Sequence, residues 1–385
     1  MLPSLFENSF LLLFFFLITS AGILYLSFLF TEAIKAVLSR FRLAENFVGS
    51  SLLAAGTSLA EAINAITAGI YDRVSEKEST EGVKYSLDSF YNLTGAISVQ
   101  LVFLSLVAVI RKSRLAQTRN ARQEYRAFTS AIFQDKITLW AISTVEIAIL
   151  AICFIFPDIS KNISIGAYNL IPLLFLILWI IYLLCAKKTN SETQVETVPN
   201  YTNIFEKYRN GQFLCLFSLI FFAFTALAFF NFNLVSNFEK VFSIPKNIGL
   251  GTLLSLITSF PEFASFTFLF LAKCYKTACA GFLGSALFNL VLPVLTQSIK
   301  GGWLFEPLSS DYSEQISIVI WLSSILLINL FFFRGFYSVE SRSYVWNSRK
   351  ENQVILWGGL VILTYILVAC VIPIISKDNR AGVTQ

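Results

Sequence analysis

Apolar runs long enough to cross a bilayer recur along most of the chain and alternate with shorter polar segments. A transmembrane helix needs about 20 consecutive, mostly apolar residues. Each such run therefore predicts one membrane-spanning helix. The runs cover residues 9–31, 46–71, 86–110, 137–156, 163–185, 213–237, 245–272, 275–299, 315–334 and 352–376. The pattern predicts an all-α membrane protein with ten transmembrane helices.

One long polar segment, residues 187–212, separates the first five predicted spans from the last five. An odd number of spans in each half places the halves in opposite orientations, as in the inverted repeats of many secondary transporters. We therefore expect a first five-helix repeat over 1–186, a linker over 187–212 and a second five-helix repeat over 213–385. Lys and Arg are concentrated in the loops after odd-numbered spans, which predicts a cytoplasmic linker and both termini on the outer side.

The composition agrees with a membrane protein, because 56% of the residues are hydrophobic and only 14% are charged. Histidine is absent, so any coupling to protons would have to use carboxyl groups. The six cysteines lack the spacing of metal ligands and are interpreted as small buried hydrophobes. The sequence contains no basic patch that would indicate binding to nucleic acid. The expected partners are the lipid bilayer and inorganic cations, and a monomer would suffice.

Two similar polar clusters interrupt the apolar runs at corresponding places in the two halves. Residues 56–61 read Gly-Thr-Ser-Leu-Ala-Glu, and residues 257–262 read Ile-Thr-Ser-Phe-Pro-Glu. A carboxylate inside a bilayer costs at least about 2.5–3.5 kcal/mol on insertion scales, so it generally marks an ion or substrate site. Pro261 removes a backbone donor, which leaves carbonyl oxygens available for another partner. The matched clusters indicate a duplicated chain with a site where its halves meet.

The span that follows each cluster adds a second pair of polar residues four positions apart. These pairs are Asp88 with Asn92 in the first half and Ser285 with Asn289 in the second. All the candidate groups are oxygen donors, without sulfur or imidazole. Oxygen ligands suit hard cations such as Ca²⁺, Mg²⁺ or Na⁺ and argue against zinc or copper. The residue chemistry thus predicts a hard-cation site but does not identify the ion.

These motifs resemble the two alpha repeats of the calcium/cation antiporter superfamily, nearest its sodium/calcium exchangers. The resemblance is sharpest over about residues 49–92 and 249–292 and extends to the ten spans and the linker. It implies a secondary active antiporter, not an enzyme, that exchanges Ca²⁺ for Na⁺ by alternating access and needs no cofactor. Exchange for H⁺, or K⁺-dependent exchange, is the alternative. The expected membrane is the plasma membrane, or else that of an organelle.

The resemblance also implies a set of ligands. Glu61 and Glu262 would be the central calcium ligands. The remaining calcium and sodium ligands would be Thr57, Ser58, Thr258, Ser259, Asn92, Asn289 and Ser285.

The first repeat departs from the family pattern at Lys84, which stands where the family has a small or amide residue, at Leu87 and Asp88, which replace Gly-Ser, and at Ala60. Ala60 stands where the family has proline, so a broken helix is less expected there. Asp88 replaces a neutral residue and would add a third carboxylate to the site, so it is included as a candidate ligand. Its charge would be balanced by a proton, a monovalent cation or Lys84, one turn earlier on the helix.

Alternatives remain open for some residues and for the function. Glu146 lies in the middle of the predicted fourth span and could be an internal hydrogen-bond partner, a sign that the span is misplaced, or part of an ion path. Asp72 and the acidic segment 76–81 are expected in a solvated outer loop. An intramembrane protease, a channel and an inactive regulatory relative are weaker alternatives. The protease is disfavoured because Thr252 follows Gly-Leu-Gly, where the protease motif has Asp. The inactive relative is disfavoured because Glu61 is intact.

Overall fold

The chain is described by a computed structural model, with its helices bounded as follows. The described residues are 9–41, 51, 53–78, 85–113, 124–125, 127–132, 164–165, 168–169, 173, 176–181, 183–184, 204–242, 254–301, 312–337 and 348–381. The helices are α1 Ser9–Phe41, α2 Ala54–Thr57, α3 Leu59–Glu78, α4 Tyr85–Ser113, α5 Asn210–Phe242, α6 Ser255–Thr258, α7 Phe260–Leu271, α8 Tyr275–Val291, α9 Pro293–Lys300, α10 Tyr312–Tyr337 and α11 Ser348–Ala381.

Apolar helices dominate the described part of the chain. Four stretches within it are long and apolar enough to cross a membrane, namely Phe10–Ile34, Ser89–Lys112, Asn210–Asn231 and Tyr275–Lys300. Shorter apolar stretches are Phe260–Leu271, Val319–Gly335 and Asn352–Val368. The chain is therefore a helical, multi-pass membrane protein. The predicted span 137–156, with Glu146, lies outside the described residues, as does the linker up to residue 203.

The predicted span 163–185 does not begin as a helix. Strand β1, Ser164–Ile165, pairs with strand β2, Tyr168–Asn169, in an antiparallel ladder. Ile and Tyr, one in each strand, are residues that favour strands. Helical residues of this span begin only at 173 in the described part of the chain. The prediction of a helical fold is confirmed for the described part of the chain, and this two-residue ladder is a local exception to it.

Three predicted spans are broken helices. The span 46–71 is broken at Ser58, 245–272 at Ser259 and 275–299 at Leu292. Ser58 has φ −82° and ψ 18°, and Ser259 has φ −83° and ψ 2°. Both halves therefore break at the same serine of the motif with the same backbone geometry.

The break in the first half corrects the expectation drawn from Ala60. Hydrogen bonds span each break in the same way, from Ser58 N to Ala54 O at 3.1 Å and from Ser259 N to Ser255 O at 3.0 Å. Since Ala60 and Pro261 occupy the same position after the break, proline is not what causes it. What both halves have in common is the serine at the break and the packing around it.

The packing contacts of the two halves come in matching pairs. Helix α1 packs on α7, and α5 packs on α3; likewise α2 packs on α8, and α6 packs on α4. Helices α4 and α8 also contact each other. The apolar stretch in α4 is 67% buried and the one that spans α8 and α9 is 83% buried, against 28% and 18% for those of α1 and α5. Helices α4 and α8 thus lie at the centre, and helices α1 and α5 lie at the periphery.

Close packing and one capping residue fix the helices of the first half around the centre. A Cβ atom at Gly56 would lie 2.1 Å from Cε1 of Phe30, so the absence of a side chain lets α1 pack against α2.

Asp72 is buried, and its carboxylate accepts hydrogen bonds from the backbone N–H groups of Tyr85 at 2.7 Å and Ser86 at 2.9 Å. Asp72 is therefore an N-terminal cap of α4 and not part of a solvated loop.

Candidate cation site

The candidate site lies where the two helix breaks meet the central helices α4 and α8. Its polar side chains come from both halves of the chain and are each at most 3% exposed. They are Thr57, Ser58, Glu61, Asn92, Thr258, Ser259, Glu262, Ser285 and Asn289. Asp88 lies in α4, but its side chain is outside the described residues. Nine of the ten candidate ligands thus lie in the buried interior.

Glu262 is held by serines from both halves. Ser285 Oγ donates a hydrogen bond to Glu262 Oε1 at 2.8 Å, and Ser58 Oγ lies 3.0 Å from the same oxygen as a donor. The two serine hydroxyl oxygens are 2.5 Å apart, so one of the two hydroxyls can donate to the other in place of donating to Glu262. The break in the first half therefore contributes directly to the surroundings of the glutamate of the second half.

Asn92 makes the corresponding contact in the other direction. Its Oδ1 accepts hydrogen bonds from Thr258 Oγ1 at 3.3 Å and from Ser255 Oγ at 3.3 Å. Ser255 Oγ also lies 2.9 Å from the backbone oxygen of Asn92. Thr57, by contrast, donates within its own helix, to Leu53 O at 2.9 Å. Thus α6 contacts α4 through Asn92, just as Ser58 at the other break contacts α8 through Ser285.

Several buried oxygens at the site accept no hydrogen bond from the described residues. They are both carboxyl oxygens of Glu61, Oε2 of Glu262, Oδ1 of Asn289 and the hydroxyl oxygen of Ser259. The carboxyl groups of Glu61 and Glu262 are also close enough to interact electrostatically. A buried polar group without a partner costs about 1–3 kcal/mol, and more when it is charged. A metal cation beside the two carboxyl groups, or a proton bound to them, would remove this cost.

The ligand chemistry is that of a hard-cation site. The candidate ligands supply carboxylate, hydroxyl and amide oxygens, and their side chains are buried. Calcium accepts six to eight such oxygens in flexible geometry, and alkali cations also prefer oxygen. The residues present therefore fit Ca²⁺ or Na⁺ better than a transition metal.

Two polar residues of the site were missed in the sequence. Ser255 lies one turn before Thr258, and this spacing could have identified it. Gln100 in α4 donates from Nε2 to Ser285 Oγ at 3.1 Å. It stands eight residues after Asn92, as Gln297 does after Asn289, so comparison of the repeats could have found it.

Comparison with known proteins gives one family and a set of similar folds. Residues 11–187 match the sequence model of the family described as sodium/calcium exchanger protein. The crystal structure of the H⁺/Ca²⁺ exchanger CAX is 11% identical, with 97% of this chain and 91% of that chain covered and a TM-score of 0.54. The sodium-calcium exchanger NCX_Mj soaked with 2.5 mM Na⁺ and 1 mM Sr²⁺ is 16% identical, with 94% and 98% covered and a TM-score of 0.51. At these identities the likeness establishes the fold. No curated relative matches the chain.

Proposed function

We propose that the chain belongs to the calcium/cation antiporter superfamily and that it exchanges Ca²⁺ for Na⁺ across a membrane by alternating access. The family model that matches residues 11–187 and the two structures of similar fold support this proposal. Cation exchange is the activity named for the family whose model matches residues 11–187 and for the structures of similar fold. No cofactor is part of the proposal, since oxygen ligands from the chain itself can bind the transported ions.

The proposal depends above all on the pair of glutamates. Glu61 and Glu262 come from equivalent positions of the two halves and are both buried, with three of their four carboxyl oxygens lacking a hydrogen bond from the described residues. Two uncompensated charges in a poorly hydrated interior are costly. A Ca²⁺ ion held between them would balance both charges and supply the missing partners for their oxygens.

The remaining candidate residues would complete the coordination. Thr57, Ser58, Thr258 and Ser259 stand at the two breaks, where hydroxyl and backbone oxygens are near the glutamates along the chain. Ser285, Asn289 and Asn92 would add oxygens from the central helices. Asp88 is retained as a candidate ligand from its position in α4, four residues before Asn92.

Alternating access would use the duplicated plan of the chain. We propose two inverted five-helix repeats, 1–186 and 213–385, joined by a cytoplasmic linker over 187–212. The matching contacts of α1 with α7 and α5 with α3 support this plan, because exchanging the two halves leaves the pairs unchanged. A site between two such repeats can be exposed to either side when one repeat moves against the other.

The function can be tested by transport in proteoliposomes containing the purified full-length chain. Uptake of radioactive Ca²⁺ is measured with an outward Na⁺ gradient, an outward K⁺ gradient and an outward proton gradient in separate experiments. We expect uptake driven by the Na⁺ gradient. Uptake driven only by the proton gradient would instead make the protein a Ca²⁺/H⁺ exchanger, and absence of uptake under all three gradients would contradict calcium exchange.

A further inference from the structure

Gln100 has a buried amide side chain in the first half of the chain and contacts a residue of the candidate site in the second half. It is 1% exposed and lies in α4, whereas the residue it contacts, Ser285, lies in α8. Its Nε2 donates to Ser285 Oγ at 3.1 Å, while its Oε1 has no hydrogen-bond partner among the described residues. A buried amide that uses only its nitrogen leaves a strong oxygen ligand available beside the site.

The hydrogen bonds at Ser285 define what this amide can do. A hydroxyl group has one hydrogen to donate and two lone pairs to accept with. Ser285 donates to Glu262 Oε1 and accepts from Gln100, while its second lone pair faces the hydroxyl of Ser58. While the nitrogen of Gln100 points at Ser285 Oγ, that oxygen has at most one lone pair left for a cation. A half-turn of the amide would remove that donor and present Oε1 in its place.

We propose that Gln100 is a specificity-determining residue for the monovalent cation of this exchanger. When a monovalent metal cation binds at Glu262, the amide turns so that Oε1 coordinates the cation together with Glu262 and Ser285. The inference rests on the proposed function and deepens it, since it assigns a neutral ligand to the counter-ion.

The charge and position of the amide select the monovalent ion over both Ca²⁺ and a proton. One carboxylate with neutral oxygens balances a single positive charge, while a divalent ion needs the second carboxylate, Glu61. Gln100 contacts Ser285, which binds Glu262, whereas the carboxyl oxygens of Glu61 have no hydrogen-bond partner among the described residues. A proton bound to Glu262 needs no coordinating amide oxygen. Gln100 should thus affect the dependence on Na⁺ more than the dependence on Ca²⁺ or on pH.

Two substitutions separate the role of the amide oxygen from that of the amide nitrogen. Gln100→Met keeps an unbranched side chain of similar length without a hard ligand, and Gln100→Glu keeps oxygen but removes the N–H donor. Ser98→Ala is the matched control, because Ser98 is buried in the same helix and donates to Thr94 O at 3.2 Å within that helix. Each full-length variant is reconstituted, and Ca²⁺ flux is measured as a function of Na⁺, Ca²⁺ and pH.

We expect Gln100→Met to raise the Na⁺ concentration for half-maximal exchange about tenfold, the effect of losing one contact to a charged group. The apparent affinity for Ca²⁺ should change less than about threefold, and the pH profile should not move. Gln100→Glu should keep Na⁺ dependence near that of the wild type or strengthen it, and Ser98→Ala should leave all three dependences unchanged.

Three results would overturn the inference. One is an unchanged Na⁺ dependence in Gln100→Met, and another is an equal shift for Na⁺ and Ca²⁺. The third is a Gln100→Glu variant as impaired as Gln100→Met, because the residue would then act through its hydrogen bond to Ser285.

Failure of the proposed function can be distinguished from failure of the role assigned to Gln100. Calcium flux driven only by protons in the wild type would overturn the assignment of Gln100 but leave cation exchange in place. If the wild type transports no Ca²⁺, equilibrium binding of radioactive Na⁺ to the purified protein becomes the test. Weaker binding in Gln100→Met than in Ser98→Ala would support the inference, and equal binding would overturn it.

Discussion

At the scale of single residues, the two glutamates are equivalent in sequence but differ in their surroundings. Glu262 Oε1 accepts hydrogen bonds from two serines, whereas neither oxygen of Glu61 has a hydrogen-bond partner among the described residues. Glu61 thus depends more on a bound ion for its stability in the interior.

Replacement of either glutamate by glutamine should abolish calcium transport. Glu61→Gln and Glu262→Gln each remove one of the two charges that balance a divalent ion in a poorly hydrated site. We expect at least about a hundredfold loss of flux, since a contact to a charged group contributes about 1.5–3 kcal/mol and the lost charge adds to it.

The control for the glutamates is Glu124→Gln, because Glu124 is a partly exposed carboxylate that pairs with Arg111 at 3.5 Å and Lys273 at 3.3 Å. Its replacement should leave calcium flux within about twofold of the wild type, as expected for a weak exposed ion pair. Expression and monodispersity are measured for all three variants. Normal flux in both Glu61→Gln and Glu262→Gln would contradict the assignment of the site.

Gly56→Ala should destabilise the protein through a clash with Phe30. The added Cβ would lie 2.1 Å from Phe30 Cε1, so the ring must move, and this ring also packs on Phe217 with centroids 5.4 Å apart. Overpacking of this kind costs about 1–3 kcal/mol.

Thermal unfolding of the purified protein in detergent measures the effect of Gly56→Ala. Combining it with Phe30→Leu, which shortens the clashing side chain, should cost less than the sum of the two single changes. Additive effects in this cycle would show that the contact does not determine the packing of α1 on α2.

Burial of the candidate ligands could be predicted at this scale, but their partners could not. The sequence identified nine polar residues that the structure places in the interior, because polar side chains within a membrane-spanning run generally face the inside of the helix bundle. It did not predict that Ser58 contacts Glu262 or that Gln100 contacts Ser285. These partners are about 200 residues apart in sequence and depend on how the halves pack.

At the scale of helices, length and hydrophobicity were sufficient to find most elements but not their breaks. Proline is the sign of a break in the sequence, and the motif of the first half has Ala60 in its place. The structure breaks both helices at serine, with ψ of 18° at Ser58 and 2° at Ser259. A single residue with ψ near zero interrupts a helix while hydrogen bonds still span it. Hydrophobic periodicity does not detect such a change.

Ala60→Pro should therefore be tolerated. Ala60 is the second residue of α3, and Pro261 is the second residue of α7, where proline is compatible with the first turn of a helix. We expect Ala60→Pro to change the free energy of unfolding by less than about 1 kcal/mol and to retain calcium flux.

The control proline belongs inside the same helix. Ala68→Pro should cost about 3 kcal/mol or more, because the ring clashes with the carbonyl group four residues earlier and a helical hydrogen bond is lost. Thermal unfolding and flux are measured for both variants. Equal damage by the two prolines would mean that the break at Ser58 differs from the break at Ser259 in a way that the backbone angles do not reveal.

At the scale of the whole molecule, matching pairs of helix contacts join residues before the linker to residues after it. Helices α4 and α8 lie at the centre of the packing, and the helices that follow the breaks contact the first helix of the other half. The sequence indicated duplication through the two motifs. It could not indicate which helices would be central, since α1, α4, α5 and α8 are all apolar and long.

The inverted plan makes a testable prediction about membrane topology. Five spans in each half require the linker to lie on the opposite side from both termini, and the excess of Lys and Arg predicts that the linker is cytoplasmic. In a variant without the native cysteines, we introduce Ser4→Cys, Ser191→Cys or Thr384→Cys one at a time. A membrane-impermeant maleimide should label positions 4 and 384 in intact cells and position 191 only after permeabilisation.

The pattern of labelling tests the number of spans in each half as well as their direction. An even number of spans before the linker would place positions 4 and 191 on the same side, which would happen if residues 137–156 did not cross the membrane. Labelling of 191 alone in intact cells would keep the inverted plan but reverse its orientation. Labelling of 4 and 191 together would contradict the inverted repeats, because two halves with the same orientation cannot be related by a two-fold axis in the membrane plane.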